Sequence, residues 1–395
     1  MTRYLPFWCF YLHQGMITAL ILQGVMGYFR HHGLDLSQLS WLSLTLLPWV
    51  AKFLWAPWGE RHARPLRGNP YLGSLVMLQL AMAAVMAVIG LLSPVDSVSA
   101  IMAGLMLLAL LSASHDIYAD GVTISTTTSA TRPLANTAQV GGSYLGILFG
   151  SWAFLSIADH SGWRGGFFAM VLISLLLLLL PLRYTRPAEA ATTQQRPALD
   201  LRNISAQWPV LAFTAIFYLA MRGMMALQTV ILIDQQLSLS SLGLILTLYS
   251  TLVSGVGIVL ANVLIRRTGT LQCLLPVMVI HALLAVVLAV GYSSFTLPLW
   301  IGLFGLVNLV AAMGFVTLYN VLMALVRPHQ PASDYALFQS TDALVAMLVS
   351  LGALQLAAHS GYQITLGALA CFALASIWPA RRLSRRFAAA VKDAR

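Results

Sequence analysis

Long apolar runs separated by short polar intervals fill this chain, and each run is close to the length a helix needs to cross a bilayer. A hydrocarbon core about 30 Å thick takes roughly 20 helical residues. Stretches 4–29, 38–58, 70–92, 97–127, 133–158, 165–183, 207–233, 241–265, 272–293, 298–323, 335–358 and 362–380 meet that length. Glycine and proline inside them do not argue against helix, because neighbouring groups in a membrane bundle re-satisfy the freed backbone. The longest polar interval, 184–206, includes Arg186, Glu189, Arg196, Asp200 and Arg202 and divides twelve spans into six and six. The pattern predicts an all-α integral membrane protein: a first six-helix bundle over 1–183, a linker over 184–206, a second bundle over 207–380 and a basic tail over 381–395. A channel or a membrane-embedded enzyme could share that count.

Composition removes a soluble alternative. Hydrophobic residues make up 59% and charged residues 9% of 395 residues, against roughly 45–50% and about 25% in soluble domains. The solvent for most of the surface must be lipid. The net charge of +10 does not point to nucleic acid, because the basic residues sit in short loops and in the tail without interleaved aromatics. With a cytoplasmic N-terminus, only Arg30 and Arg164 of the 22 Lys and Arg residues fall outside, and Lys52 and Arg222 lie within spans. That asymmetry places both termini in the cytoplasm. The first run is too long and too polar for a cleavable signal peptide and reads as a retained span. Cys9, Cys273 and Cys371 lie far apart inside apolar runs, so neither disulfide nor metal site is expected. No cofactor is implied.

Ionisable groups within the spans each need a reason, since one at the centre of a membrane helix costs at least roughly 2.5–3.5 kcal/mol. His13, Asp116, Asp120, Arg222 and Asp342 stand out, with His115 and His281 as weaker cases. Asp116 and Asp120 are four apart and share a helix face with Ser112 and Thr123. Two close carboxylates repel, which suits a group that takes up and releases a proton. Alternatively, Asp120 is solvated or bonded to Arg132, and Asp116 partners Lys52. Arg222 lies too deep to snorkel and calls for an anionic ligand or a carboxylate, for which Asp342 is a candidate.

The loop after the second span reads Gly59-Glu60-Arg61-His62-Ala63-Arg64 and resembles the 2–3 loop signature of the major facilitator superfamily, with Glu60 for its usual Asp and Ala63 for its Gly. The resemblance implies a gating role for Glu60, Arg61 and Arg64, with Lys52 nearby, rather than substrate contact. It also implies that spans 1, 4, 7 and 10 line a central space. That space would gather Tyr11, His13, Gln14, Gln23, His115, Gln139, Tyr144, Arg222, Gln228, Tyr249, Asn308, Tyr319, Asn320 and Gln339 as substrate-binding candidates, with Asp116, Asp120 and Asp342 for proton coupling. Taken singly, each polar candidate also reads as a helix-packing hydrogen bond.

Several segments narrow the resemblance. Tyr11-Leu12-His13-Gln14-Gly15-Met16, Leu47-Pro48-Trp49, Lys52-Phe53-Leu54-Trp55-Ala56-Pro57, Ser114-His115-Asp116-Ile117 with Asp120-Gly121, and Gly162-Trp163-Arg164 are similar to the group holding the AmpG-type muropeptide permeases, the acetyl-CoA transporters and the RhtX/FptX-type siderophore permeases. The last branch fits best in length and span count. His13 replaces a usual proline and His115 a usual glutamine, and Met221-Arg222-Gly223-Met224 departs from the family's span-7 pattern. The resemblance implies a monomeric permease of the bacterial inner membrane. It would import a siderophore, as the ferric chelate, from periplasm to cytoplasm by proton-coupled alternating access. The alternatives are a muropeptide or other small-molecule permease or exporter. There is no His-Glu-x-x-His, Gly-x-Ser-x-Gly or phosphate loop, so no enzymatic activity is expected.

Overall fold

The computed structural model describes residues 4–32, 45–128, 131–185, 205, 207–234, 244–327 and 330–393. Helix α1 (Leu5–Ala19) runs on through a π-helical turn (Leu20–Val25) into Met26–His31. The second span is irregular: Leu47–Ala51, a 3-10 turn over Lys52–Leu54, then α2 (Ala56–Arg61). Its first residues lie outside the described ones. Then follow α3 (Leu72–Leu91), α4 (Val98–Ser125) and α5 (Arg132–Leu148), which continues through a second π turn (Phe149–Ala153) into α6 (Phe154–Tyr184). The second half supplies α7 (Trp208–Asp234), a third π turn (Leu244–Tyr249), α8 (Ser250–Thr268), α9 (Thr270–Gly291), α10 (Leu297–Ala324), α11 (Pro331–Ser360) and α12 (Tyr362–Asp393).

Among the described residues, ten helical runs are long and apolar enough to span a bilayer, and the run over Arg132–Arg183 has 52 residues. Gly162 splits it, at φ 70° and ψ 177°, a conformation that only glycine adopts cheaply. That run therefore accounts for the fifth and sixth spans. The expected linker 184–206 falls almost wholly outside the described residues. Two differences from expectation concern the ends of helices. Alpha-helix continues through the expected tail to Asp393, because Leu383, Phe387 and Val391, spaced by four, are buried. The chain also divides into compact units of Met1–Leu199 with Val326–Leu337, and of Asp200–Leu325 with Phe338–Arg395. The start of α11 thus groups with the first unit.

Each unit repeats one packing scheme. In the first, α3 packs on α4 and α6, and α1 on α4 and α6; in the second, α9 packs on α10 and α12, and α7 on α10 and α12. Helices apolar on both faces need lipid on one of them. On α6, Phe167, Met170 and Ser174 are buried while Leu172, Leu176 and Leu179 are exposed. Between α1 and α5 the backbones meet with little side chain between them. A Cβ on Gly146 would strike the Leu12 carbonyl oxygen, and one on Gly150 the Met16 carbonyl oxygen. This is the small-residue packing that lets membrane helices approach closely.

Gly146→Ala should cost about 1–3 kcal/mol by forcing these backbones apart. Gly302→Ala, where a Cβ meets nothing within 4 Å, should leave stability unchanged or slightly raised. Thermal unfolding of the two purified variants in the same detergent separates these outcomes.

Candidate functional site

In the first unit the buried Lys52, Glu60, Asp116 and Asp120 find partners within the unit. Lys52 sits in the 3-10 turn of the broken second span, and its Nζ donates to Asp116 Oδ2 on α4. Both side chains are only 2% exposed. In a low-dielectric interior such a pair survives because each charge neutralises the other. One turn on, Asp120 is also fully buried, but its partners differ. It accepts from Tyr11 Oη at 2.7 Å and from Gln139 Nε2 at 3.2 Å. Tyr11 Oη also lies 3.1 Å from Thr123 Oγ1, and Tyr335 Oη donates to Gln139 Oε1 at 3.1 Å. Asp116 thus bonds Lys52, and Asp120 bonds Tyr11 and Gln139.

His13 and His115 come together, with ring centroids 5.2 Å apart. His13 Nε2 pairs with Ser174 Oγ at 2.8 Å, and Gln79 Nε2 donates to the Ser174 carbonyl oxygen at 2.8 Å. Both imidazoles are completely buried. His13 Nδ1, both ring nitrogens of His115 and Ser112 Oγ have no partner among the described residues. Unpaired buried polar atoms are costly, about 1–3 kcal/mol each, and four of them gather here among the described residues.

Glu60 lies in the last turn of α2 and receives the first backbone groups of α11. Its carboxylate accepts from Ala332 N at 3.1 Å, Ser333 N at 2.8 Å, Ser333 Oγ and Tyr71 Oη at 2.6 Å. A carboxylate at a helix N-terminus satisfies orphan N–H groups and meets the positive end of the dipole. Burial pushes the Glu60 carboxyl above its ordinary range, while hydrogen bonds from Ser333, Tyr71 and Ala332 draw it back. Arg327 forks onto Asp334 in the first turn of α11 at 2.9 and 2.7 Å. Arg61 and Arg64 are exposed and form no ion pair among the described residues.

In the second unit Arg222, on α7, donates Nε to Asp342 Oδ1 at 2.9 Å and Nη2 to Oδ2. Its guanidinium also lies 4.7 Å from the Phe315 ring centroid and 5.4 Å from that of Tyr218. Tyr319 Oη reaches Asp342 Oδ2 at 3.5 Å. The Arg222 side chain keeps 24% exposure against 8% for Asp342, unlike the sealed Lys52–Asp116 pair. Other expected contacts act between helices. Asn308 Nδ2 donates to Gln228 Oε1 at 2.8 Å, Asn320 Nδ2 to Thr270 Oγ1, and Tyr249 Oη lies against Gly305. Gln14, Tyr144 and Gln339 are partly exposed and Gln23 is exposed.

Sequence reading missed Ser333, Tyr71, Ser174, Gln79, Phe315 and Tyr218. Only Ser333 had a usable signal: with Asp334 it stands just inside a helix start that begins at a proline, where N-terminal donors await an acid.

Residues 7–350 match the family model of the Major Facilitator Superfamily. The anhydromuropeptide permease of Escherichia coli K12 is 24% identical over 270 residues, covering 66% of this chain and 55% of that protein. The chain thus spans about half the length of the curated relatives it matches. Among solved structures, a bacterial homologue of the iron transporter ferroportin aligns with TM-score 0.75 at 12% identity, over 98% of this chain and 100% of the other. FucP, a superfamily transporter, aligns with TM-score 0.71 at 14% identity, over 96% and 98%. At these identities the structures speak for the fold.

Removing Lys52 alone strands a buried carboxylate. Lys52→Met is expected to cost about 3–5 kcal/mol, and Lys52→Met with Asp116→Leu to recover most of it. Thermal unfolding in detergent measures both; a single variant as stable as the parent would contradict the buried pair.

Proposed function

The chain belongs to the major facilitator superfamily, and on that premise we propose that it imports a siderophore, as the ferric chelate, across the bacterial inner membrane by proton-coupled alternating access. That it is a multi-pass membrane protein and a secondary transporter follows from the family. The choice of substrate rests on the resemblance of spans 1 to 6 to siderophore permeases and on one observation, the partly open Arg222–Asp342 pair flanked by Phe315 and Tyr218.

The chemistry runs as an exchange of partners. At rest Asp342 neutralises Arg222. An anionic chelate takes the guanidinium, with its aromatic or catechol rings against Phe315 and Tyr218. Asp342, left without its cation in a poorly solvated place, takes up a proton. Substrate and proton then travel together, and reversal at the cytoplasmic side restores the pair. Asp116 and Asp120 remain candidates for the same work, but their full burial favours structural roles in the resting bundle. Glu60 fits a latch, since the bonds it accepts from Ala332 and Ser333 must break if α11 moves away from it. His13, His115, Gln14 and Gln139 would tune the first bundle, and Gln228, Tyr249, Asn308, Asn320 and Gln339 the second.

A second reading has support from the muropeptide permease relative: the cargo would be a cell-wall fragment, whose peptide carboxylates suit Arg222 equally well.

Uptake into proteoliposomes, with radioactive iron on a small panel of siderophores and an imposed inward proton gradient, tests the proposal. One chelate should accumulate, and accumulation should collapse with the gradient. Arg222→Gln should lose uptake at least about tenfold, a charge-assisted bond being worth roughly 1.5–3 kcal/mol. Asp342→Asn should lose the response to the gradient. Accumulation of an anhydromuropeptide with no chelate transported would establish the second reading instead.

A further inference from the structure

The final turns of α12 carry Arg381, Arg382, Arg385 and Arg386, all exposed, opposite a buried seam of Leu383, Phe387 and Val391. Phe387 meets Phe213 of α7 edge-on, with ring centroids 5.3 Å apart, so this extension is packed onto its own bundle. Two of the arginines are held by tryptophans. The Arg382 guanidinium lies 3.8 Å from the Trp378 ring centroid and that of Arg386 lies 5.0 Å from the Trp208 ring centroid. Trp378 and Trp208 are themselves 62% and 48% exposed.

Three physical points bear on what covers this face. Arg381 and Arg385, and Arg382 and Arg386, are like-charged i,i+4 pairs that repel, yet none of the four forms an ion pair with a carboxylate among the described residues. The helix dipole does not explain them, because its pull fades within the last turn and the helix continues to Asp393. Exposed tryptophans at the end of a membrane helix sit at headgroup depth, so the arginines stacked on them stand at the level of lipid phosphates.

We propose that this face of α12, with Trp208 of α7, is a binding site for the phosphate headgroups of anionic phospholipids in the leaflet expected to face the cytoplasm. Two guanidinium pairs one helical turn apart, about 6 Å along the axis, present donors for two neighbouring phosphates. A lipid with two phosphates, or two adjacent acidic lipids, matches that spacing. The bound lipids neutralise the repulsion along the helix and pin the end of α12 to the start of α7.

The test is lipid retention by native mass spectrometry of the full chain released from mixed micelles. Phosphatidylglycerol and cardiolipin are compared with phosphatidylcholine, and glycerol 1-phosphate serves as soluble competitor. The parent should retain the acidic lipids at least about tenfold over phosphatidylcholine, four cations near an anionic surface being worth more than that in binding. Arg382→Gln with Arg386→Gln should remove most of the preference, and Trp208→Leu with Trp378→Leu should weaken it while leaving the charges in place. Equal retention of acidic and neutral lipid by the parent, or an undiminished preference in the arginine variant, overturns the proposal. Displacement of the lipids by millimolar glycerol 1-phosphate would show a soluble phosphate ligand and overturn it as well. Circular dichroism of each variant in phosphatidylcholine micelles checks that the fold is intact, and Arg382→Lys with Arg386→Lys, which keeps the charge, serves where a glutamine variant does not fold.

Discussion

An ionised side chain inside hydrocarbon must meet its counter-charge within reach of its own helix bundle, and much of this structure follows from that demand. Lys52 and Asp116 meet it by sealing one ion pair between the broken second span and α4. Arg222 and Asp342 meet it between α7 and α11, with aromatic rings beside the guanidinium. The irregular turn at Lys52–Leu54 carries the lysine of the first pair. Once these pairs are fixed, apolar side chains can fill the rest in many ways, because lipid accepts them on one side and neighbours on the other.

The two pairs differ in the property that matters for transport. A sealed pair is a fixed part of a bundle, since opening it exposes two charges to hydrocarbon at once. A partly exposed pair can trade one partner for another of like charge at low cost. The proposed account therefore gives the sealed pair of the first unit a structural part and the partly exposed pair of the second unit the exchange. Glu60 adds a third kind of contact, a carboxylate that holds the donors of a helix start. It is strong while assembled and easily replaced by water when the helix withdraws.

The spans were legible in the sequence because their length and apolarity are imposed by the bilayer. The pairing of Arg222 with Asp342 was legible as one of two options, since a deep arginine has few other ways to be neutralised. The partners of Asp120 were not. Tyr11 and Gln139 lie 109 and 19 residues away, and membrane helices lack the wet-face, dry-face pattern that reports rotation in soluble ones. For the same reason the family resemblance puts His13 and His115 around one space but carries no sign that their rings lie against each other. The tail reads from sequence as a basic segment because six of its fifteen residues are Arg or Lys; the apolar residues Leu383, Phe387 and Val391, buried along one side of its helix, are sparse.

The central claim is that an anionic substrate displaces Asp342 from Arg222 and that the freed carboxyl carries a proton. Recording the internal pH of proteoliposomes with a trapped dye, as a transported ferric chelate is added outside without any imposed gradient, tests this most directly. The account predicts internal acidification that follows substrate entry in the parent and is absent in Asp342→Asn. Substrate entry with no acidification, or the same acidification in Asp342→Asn, would contradict it.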